Sequence, residues 1–546
     1  MESARSVNSR LKVKTFTLNS KREIISKITR EVLCLFKIEL VGRRGEADYE
    51  QLSVINRRIP LPDSKQRVTS GAAVRMETTV MLFHHDGRFD SWHHTEQGKE
   101  DELERAAVNR TIKLNLYHIF CQELGCPAAP WGILHGVRPT KIVHRWIRGG
   151  LDERQIVQRL MQDYACSREK AELITPMAFR QIPFLRTSGE RTISIYVGIP
   201  FCLTRCLYCS FPSNLLPKTA TLDSFMKVLQ QDIQAARSAV ERYHFQVQNI
   251  YIGGGTPTAL PDSYFADMLQ MVYNAFYGPE VEEFTVEAGR PDSITTAKID
   301  AMVRLQVSRV SVNPQTMQQR TLHIIGRRHT PEDVVQMYHS LRQAGIRHIN
   351  MDLILGLPGE SVSDVRDTVE KVLALHPDDI TLHALAIKRG SKLKHLMEEQ
   401  HVDLPDDEET RQMSETAMAL LFRRGYHPYY LYRQGYMAGD LENLGCCRPG
   451  AEGMYNIQIM EEHQTILGIG GAAATKVVDF RRKRMKSAFH AKDLTTYLRD
   501  AEIYIEKRSK LIEEAYGEQE EATNVNLCST GDKRHSAGYS GRMDLC

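Results

Sequence analysis

Several features that define other protein classes are scarce in this sequence of 546 residues. No stretch approaches the roughly 18 consecutive apolar residues that a transmembrane helix requires. The opening segment, MESARSVNSRLKVKTF, has no apolar core, so a secretory signal is not expected. Positive and negative charges nearly cancel at a net charge of +3, so overall charge gives no reason to expect nucleic-acid binding. We therefore expect a cytoplasmic protein with neither membrane nor nucleic acid as a partner.

The composition is that of a soluble protein with a sizeable core, since 42% of the residues are hydrophobic and 25% are charged. The length predicts two to four domains. Eleven cysteines in a chain without a secretory signal favour reduced thiols or metal ligands over disulfides.

Residues 1–180 are predicted to form an α+β domain of unknown role. EVLCLFKIEL and TTVMLFHHD are strand-like, and Asp86-Gly87 predicts a hairpin turn after the second of them. Helical patterns follow in LERAAVNRTIKLNLYHIFCQEL and LDERQIVQRLMQDY.

Residues 181–395 alternate short apolar runs with amphipathic helices, the pattern of βα units around a parallel sheet. The predicted strands are TISIYVGIP, QNIYIGGG, EFTVEAG, VSRVSVNP, HINMDLILG and DITLHALA. Six units fall short of the eight of a closed barrel, so an open, partial (β/α)6 barrel of the α/β class is expected. Residues 396–516 are predicted to form a mostly helical accessory region, and the polar segment 517–546 a disordered tail.

The first predicted barrel strand is followed by Cys202, Cys206 and Cys209 in C-x3-C-x2-C spacing. Three thiolates on a short loop can bind three irons of a cubane cluster and leave the fourth iron open for a substrate. The alternatives are a zinc site and ordinary buried thiols. A structural zinc site would need a second C-x2-C element, and the adjacent Cys446 and Cys447 do not provide one.

Polar residues follow or end the next predicted strands. GGGTPT, residues 253–258, ends the second strand, and its glycines would allow a ligand to approach free backbone amides. Glu287, Gln315 and Asp352 lie at or within the third, fourth and fifth strands, with Arg327 in a following loop. Each alone would be read as a satisfied structural polar group, but together they converge on one rim and predict a binding pocket.

YVGIPFCLTRCLYCSF and the downstream residues resemble the radical S-adenosylmethionine (SAM) enzymes, and among these the oxygen-independent coproporphyrinogen III oxidase (dehydrogenase) family. The resemblance covers roughly residues 190–475, and PWGILHGVRPTK at 130–141 is similar to its HemZ branch. It implies a [4Fe–4S] cluster on the three cysteines and SAM on the open iron, yielding a 5′-deoxyadenosyl radical. The SAM contacts it implies are Tyr196, Tyr208, Gly254, Gly255, Thr256, Glu287, Gln315, Arg327, Asp352 and Ile354.

The resemblance also implies a reaction. Two propionates of coproporphyrinogen III would be oxidatively decarboxylated to vinyl groups, giving protoporphyrinogen IX for heme biosynthesis. A monomer that receives electrons from a donor such as flavodoxin or ferredoxin is expected. Carboxylates of the porphyrinogen substrate require cationic partners. The candidates lie at or beside strand ends and are Arg290, Arg309, Lys388 and Arg389, with a solvated surface charge as the alternative for each.

One departure leaves an alternative function open. The decarboxylating enzymes carry CGC at the end of the cluster motif, where this chain reads CSF, with Phe211 in place of a fourth cysteine. The same pattern occurs in the heme-chaperone branch, which does not decarboxylate. That branch shows an HNxxYW motif, which the corresponding stretch AEGMYNIQIMEEHQTILGIGG lacks. A heme-binding relative without decarboxylase activity is therefore the alternative, and the number of SAM sites stays open.

Four histidines, His84, His85, His93 and His94, flank the predicted hairpin in FHHDGRFDSWHH. Neighbouring residues of a strand point to opposite faces, so at most one of each pair could contribute to a single site. Exposed polar histidines are one interpretation, and a metal or heme site is the other.

Overall fold

The structure is a computed structural model. It describes residues 22–36, 51–59, 74–83, 89–99, 104–124, 130–134, 136–186, 189–209, 214–386, 393, 403–433, 441–480 and 484–528. The chain divides into two compact units, Met1–Arg180 and Gln181–Cys546. In these described segments, no helix is both long enough and apolar enough to cross a membrane.

The first unit contains an antiparallel three-stranded sheet in the order β1-β2-β3. Its strands are Gln51–Ile59 (β1), Arg75–Phe83 (β2) and Phe89–Gln97 (β3). Its helices are Arg22–Leu35 (α1), Glu104–Leu124 (α2), Thr140–Arg148 (α3), Glu153–Tyr164 (α4) and Arg168–Arg186 (α5), the last of which crosses the boundary between the units. Pairing of Phe83 with Phe89 confirms the predicted hairpin, whose turn lies outside the described residues.

The predicted strand EVLCLFKIEL is wrong over its described part, which belongs to α1 and the turn after it. Ile28, Val32 and Phe36 are buried four residues apart, which is the spacing of one helix face rather than of a strand. They pack in the apolar core of the unit with Val54 of β1 and Ile112 of α2. A run of apolar residues read without its upstream neighbours does not distinguish these two periods.

The second unit is built on a parallel sheet that contains all six predicted strands. These are Thr192–Ile199 (β4), Gln246–Gly254 (β7), Glu283–Gly289 (β8), Arg309–Gln315 (β9), His348–Leu355 (β10) and Asp379–Ala384 (β11); Phe201–Cys202 (β5) and Asn214–Leu215 (β6) pair separately. The helices between them are Thr219–Arg242 (α6), Asp262–Phe276 (α7), Thr296–Arg304 (α8), Gln319–Ile324 (α9), Pro331–Gln343 (α10) and Val362–Ala374 (α11). The strands are almost entirely buried, as strands covered on both faces must be.

The C-terminal part of the chain adds strands to both edges of this sheet, beside the helices that the sequence predicts for this region. The strands are His427–Tyr432 (β12), Asn443–Cys447 (β13), Thr465–Gly470 (β14), Ala474–Asp479 (β15) and Arg484–Phe489 (β16). The helices are Asp407–Arg423 (α12), Met454–Glu461 (α13) and Leu494–Cys528 (α14). The sheet order is β12-β13-β11-β10-β9-β8-β7-β4-β14-β15-β16. The short apolar runs of this region form strands because the two open edges of the six-stranded sheet supply hydrogen-bond partners for their backbones.

The last helix, α14, ends at Cys528 and so includes the first part of the segment 517–546 that the sequence predicts to be disordered. Residues 529–546 lie outside the described part of the chain.

A buried ion network ties the amino ends of three barrel strands to the C-terminal segment. The Arg309 guanidinium contacts Glu283 Oε2 at 3.1 Å and Asp379 Oδ1 at 2.7 Å. Its Nη2 donates to the carbonyls of Ala451 at 2.9 Å and Glu452 at 3.1 Å. Glu283 in turn accepts from the backbone amides of residues 454 and 455, at 3.0 and 3.1 Å, and so caps α13. All three charges therefore have partners, which burial requires.

We expect the Arg309→Ala substitution to lower the free energy of unfolding of this unit by about 3–5 kcal/mol, because it leaves two buried carboxylates without their cation. Denaturant unfolding followed by circular dichroism measures the loss. The matched control is Arg304→Ala at the exposed end of α8, where a change within about 0.5 kcal/mol is expected. Equal effects of the two substitutions would contradict the role assigned to Arg309.

Candidate active site

A cavity of about 550 Å³ opens at the carboxyl ends of the barrel strands and brings together every residue predicted to bind the cluster or SAM. The predicted residues that line it are Tyr196, Cys202, Cys206, Tyr208, Cys209, Gly254, Gly255, Thr256, Glu287, Gln315, Arg327, Asp352 and Ile354. Carboxyl ends of parallel strands meet at one edge of a sheet, which is why residues spread over more than 150 positions converge.

The cysteine loop follows β4 and is anchored at its middle. Cys202, Cys206 and Cys209 are half-buried and are not in disulfide bonds. Between them, the Leu207 amide donates to the Ile325 carbonyl at 3.1 Å, and the Leu207 carbonyl accepts from the Leu393 amide at 3.0 Å. The Leu207 side chain packs on the apolar cluster around these two residues. The loop therefore presents its three sulfurs to the cavity from a fixed backbone, while Phe211, where the sequence departs from the decarboxylases, lies outside the described residues.

The glycine segment supports the cysteine loop through its backbone, and the prediction that its amides are free is wrong. The amides of Gly255 and Thr256 donate to the carbonyls of Ile199 at 2.9 Å and Phe201 at 2.7 Å. A Cβ on Gly255 would lie 2.5 Å from the Phe201 oxygen, so a side chain there would displace the strand that carries Cys202. Close approach of two backbone segments, rather than access of a ligand to the amides, requires this glycine.

Glu287 lies on the cavity wall and is held by two donors. The Tyr251 hydroxyl donates to its Oε1 at 2.6 Å and the Gly254 amide to its Oε2 at 3.3 Å. Burial raises the pKa of Glu287 to about 7, against the lowering effect of the Tyr251 hydrogen bond. The carboxylate is therefore poorly compensated by the protein alone, and a cationic ligand group beside it would favour its charged form.

Asp352 provides a second carboxylate in the same cavity. Its Oδ1 accepts from Asn350 Nδ2 at 2.6 Å, and its Oδ2 lies 3.8 Å from His383 Nε2. His383 and its neighbour Tyr432, whose hydroxyl lies 3.5 Å from His383 Nδ1, also line the cavity. This wall can therefore form hydrogen bonds with a ligand.

Arg327 and Tyr208 join the far side of the cavity to the cysteine loop. Arg327 Nη2 donates to the Tyr208 hydroxyl at 3.1 Å, and its Nη1 donates to the Asn313 carbonyl at 2.5 Å. Burial raises the pKa of Tyr208 above its ordinary value, so its phenol is neutral. The pair fixes the aromatic ring between the second and third cysteines.

Gln315 carries an unsatisfied polar atom at the site. Its Oε1 is buried and has no hydrogen-bond partner among the described residues, and its backbone has a φ of 68°. A non-glycine residue in the left-handed region and a buried acceptor without a donor both cost free energy, and such costs concentrate at functional sites. A ligand N–H or O–H in the cavity would satisfy this oxygen.

Three stacked tyrosine rings line the same cavity, and the sequence does not predict this stack. Tyr251 stacks on Tyr455 with ring centroids 4.4 Å apart and on Tyr196 at 6.1 Å. Tyr196 and Tyr251 are paired directly across β4 and β7, so the matching YVG and YIG segments carried a signal for this contact. Tyr455 comes from α13, whose position nothing in the local sequence indicates.

The four basic residues predicted to pair with substrate carboxylates differ in where they lie and in what they contact. Arg290 lines the cavity, but it contacts both oxygens of Asp292, at 2.9 and 2.7 Å, and the Thr204 hydroxyl at 2.6 Å. The prediction that Arg309 pairs with a substrate carboxylate is wrong, because its guanidinium pairs with Glu283 and Asp379 at the opposite ends of the strands. Lys388 and Arg389 lie outside the described residues. Two cations that the sequence did not single out, Arg205 and Lys476, line the cavity.

The residues present fit an iron–sulfur cluster and a polar organic ligand. Three accessible thiols on one loop match a cluster with an open iron, and the unsatisfied Gln315 oxygen and the raised pKa of Glu287 mark where a ligand would bind. Cys446 and Cys447, which the sequence predicts to be ordinary cysteines, are buried in β13 and do not line the cavity.

Comparison with known proteins agrees with this geometry. The radical SAM superfamily matches residues 196–372. The oxygen-independent coproporphyrinogen-III oxidase-like protein HemZ of Bacillus subtilis is 37% identical over 434 residues, covering 78% of this chain and 85% of that protein. The chain belongs to this HemZ-like family. The fold class and the two cofactors, a [4Fe–4S] cluster and SAM, are those of the radical SAM superfamily and confirm the predictions.

More distant relatives of this HemZ-like protein fall into two functional groups. The heme chaperone HemW of Lactococcus lactis is 29% identical over 328 residues, covering 60% of this chain and 81% of that protein. The oxygen-independent coproporphyrinogen III oxidase of Paracoccus denitrificans is 26% identical over 287 residues, covering 52% and 62%. Both a coproporphyrinogen III oxidase and a heme chaperone are thus found among the proteins that this chain is similar to.

The cysteine loop makes a direct prediction. Reconstituted under anaerobic conditions, the protein should bind about four irons per chain, and replacement of Cys202, Cys206 or Cys209 by Ala should abolish most of that iron and its visible thiolate-to-iron absorption. Iron and sulfide analysis provides the measurement. Cys121→Ala, which removes a half-buried free thiol of α2, is the control and should leave the iron content unchanged. Full iron content in the loop variants would rule out these ligands.

Glu287 predicts a pH-dependent stability. Its folded pKa of about 7 lies above the ordinary 4.5, so the folded state binds more protons in this window and loses stability as the pH rises through it. Glu287→Gln removes this loss. Relative to the parent protein, its unfolding free energy should therefore increase by up to about 3 kcal/mol between pH 5 and pH 8.

Denaturant unfolding of cofactor-free protein across this pH range tests the expectation. Glu280→Gln, an exposed neighbour, should show no such pH-dependent difference. A Glu287→Gln difference that is constant with pH would mean that the carboxyl has no raised pKa.

Proposed function

We propose that this chain catalyses the oxygen-independent oxidative decarboxylation of coproporphyrinogen III propionates to vinyl groups, producing protoporphyrinogen IX. The observation that carries the proposal is the shared cavity. The three cysteines, two carboxylates and the cations Arg205 and Lys476 line one space. A substrate with several carboxylates needs such cations close to the reacting centre.

The proposal assigns the cavity walls to the two cofactors. Cys202, Cys206 and Cys209 hold the cluster, and the predicted set from Tyr196 to Ile354 binds SAM. When bound, the two cofactors would together supply radical chemistry that abstracts hydrogen from a substrate. Glu287 is suited to the SAM amino group, because an adjacent ammonium offsets the burial that raises the pKa of Glu287. Gln315 Oε1 is suited to a hydroxyl or amide donor.

The remaining walls are assigned to the substrate. Arg205 directly precedes Cys206 and is exposed toward the cavity, so it can orient the propionate that reacts nearest the cluster. Lys476, on β15, lies on a wall formed by the C-terminal strands and can pair with a second carboxylate. Tyr251 and Tyr455 give this wall an aromatic lining against which a macrocycle can pack. Arg290, already paired with Asp292, positions the cysteine loop through Thr204.

We also infer a cytoplasmic, monomeric protein that takes electrons from a small reductant such as flavodoxin or ferredoxin. The expectation rests on the composition and on the reductive chemistry of the superfamily.

Turnover tests the proposal. Reduced, reconstituted protein incubated anaerobically with SAM and coproporphyrinogen III should release carbon dioxide, 5′-deoxyadenosine and protoporphyrinogen IX. Lys476→Met should raise KM for the porphyrinogen about tenfold or more, because a charge-assisted bond is lost. Lys486→Met, on the exposed face of β16, is the matched control and should leave KM unchanged.

The alternative function is a heme chaperone. Stoichiometric heme binding by the reconstituted protein, with no porphyrinogen turnover and no substrate-dependent 5′-deoxyadenosine, would reject the decarboxylase proposal in favour of that relative's role.

A further inference from the structure

A second cluster of ligating side chains lies in the first unit and includes none of the residues assigned to the cofactors. It is formed by His94 and Glu96 of β3 and His118 of α2. His94 and Glu96 are two residues apart in a strand, so they point to the same face, which is the face that packs against α2. His118 meets them from the helix.

The three side chains converge on one point. His94 Nε2 lies 3.2 Å from Glu96 Oε1, and His118 Nε2 lies 3.7 Å from the same oxygen. All three ligand atoms lie within 4.8 Å of one another. The two imidazole rings are 4.7 Å apart. Two ring nitrogens thus face a single carboxylate oxygen.

Hydrogen bonding alone does not account for this arrangement. The His94 contact has the length of a hydrogen bond, but 3.7 Å is too long for His118 to donate to Glu96. A tetrahedral zinc ion with bonds of about 2.0–2.1 Å separates its ligand atoms by roughly 3.3 Å. The two measured distances lie on either side of that value.

We propose that His94, Glu96 and His118 bind a divalent transition metal ion of the zinc class. Two imidazoles and one carboxylate favour zinc over magnesium or calcium, which take oxygen ligands. Three protein ligands leave a fourth position for solvent, and the side chains are 37%, 27% and 39% exposed, so an ion can enter. The ion would cross-link β3 to α2.

His93 provides a matched control inside the same motif. It points to the opposite face of β3 from His94 and is exposed. His84 and His85, the other two histidines of this motif, lie outside the described residues.

Zinc binding to the full chain tests the proposal. The experiment uses untagged protein with Cys202, Cys206 and Cys209 replaced by Ala, because those thiolates bind zinc themselves. Calorimetric titration with zinc chloride after chelator treatment should give one equivalent, and His94→Ala, Glu96→Gln and His118→Asn should each weaken binding at least tenfold. His93→Ala should bind like the parent.

Titration with cobalt(II) gives a second readout, since the parent should develop visible bands that the three ligand variants lack. Circular dichroism of each variant establishes that it is folded, and His118→Asn preserves a polar side chain if alanine is not tolerated. No zinc uptake by the parent would overturn the site. Uptake that persists with equal affinity in the folded ligand variants would overturn it as well.

Discussion

The contact of the Arg309 guanidinium with two buried carboxylates is the constraint on which the second unit depends. It lies at the amino ends of β8, β9 and β11, and it also holds the carbonyls just before α13. The Glu283 carboxylate both pairs with Arg309 and caps α13. Because it caps this helix at the Tyr455 amide, it helps to place Tyr455 against Tyr251. An electrostatic network at one end of the strands thereby shapes the cavity at the other end. Burial makes the network costly to break, since each member would be left without a partner.

The sequence predicts the central sheet well because each of its strands is buried on both faces and reads as an unbroken apolar run. It fails for the C-terminal strands, which are strands only because the barrel sheet has two free edges to pair with. It fails for α1, where Val32 and Leu33 belong to a helical face that begins upstream of the strand-like run. In both cases tertiary context decides between periods that a short window cannot distinguish.

The candidate site likewise contains residues that the sequence predicts and residues that it does not. The cysteines and the polar residues at strand ends are predictable, since a parallel topology brings strand ends together whatever the detailed packing. Tyr455 and Lys476 are not, because their relevance depends on which segment covers the open side of the barrel, whereas Arg205 lies in the cysteine motif itself. The sequence predicts correctly that the glycine segment lies at the site, but not why glycine is needed there. The amides of Gly255 and Thr256 donate to the chain that carries the cysteines rather than to a ligand. Likewise, His94 becomes a plausible ligand only when α2 brings His118 to it.

The position of β4 within the sheet has a consequence for the order of events during synthesis. This strand, which leads into the cysteine loop, lies between β7 and β14, and Ser194 bonds a partner 270 positions later, Gln464. Contacts so distant in sequence form late, and until then β4 is an exposed edge. Ile466 and Lys476, which close the cavity, also leave the ribosome late. Delivery of iron to this chain is therefore expected to follow the completion of the barrel unit, after translation rather than during it.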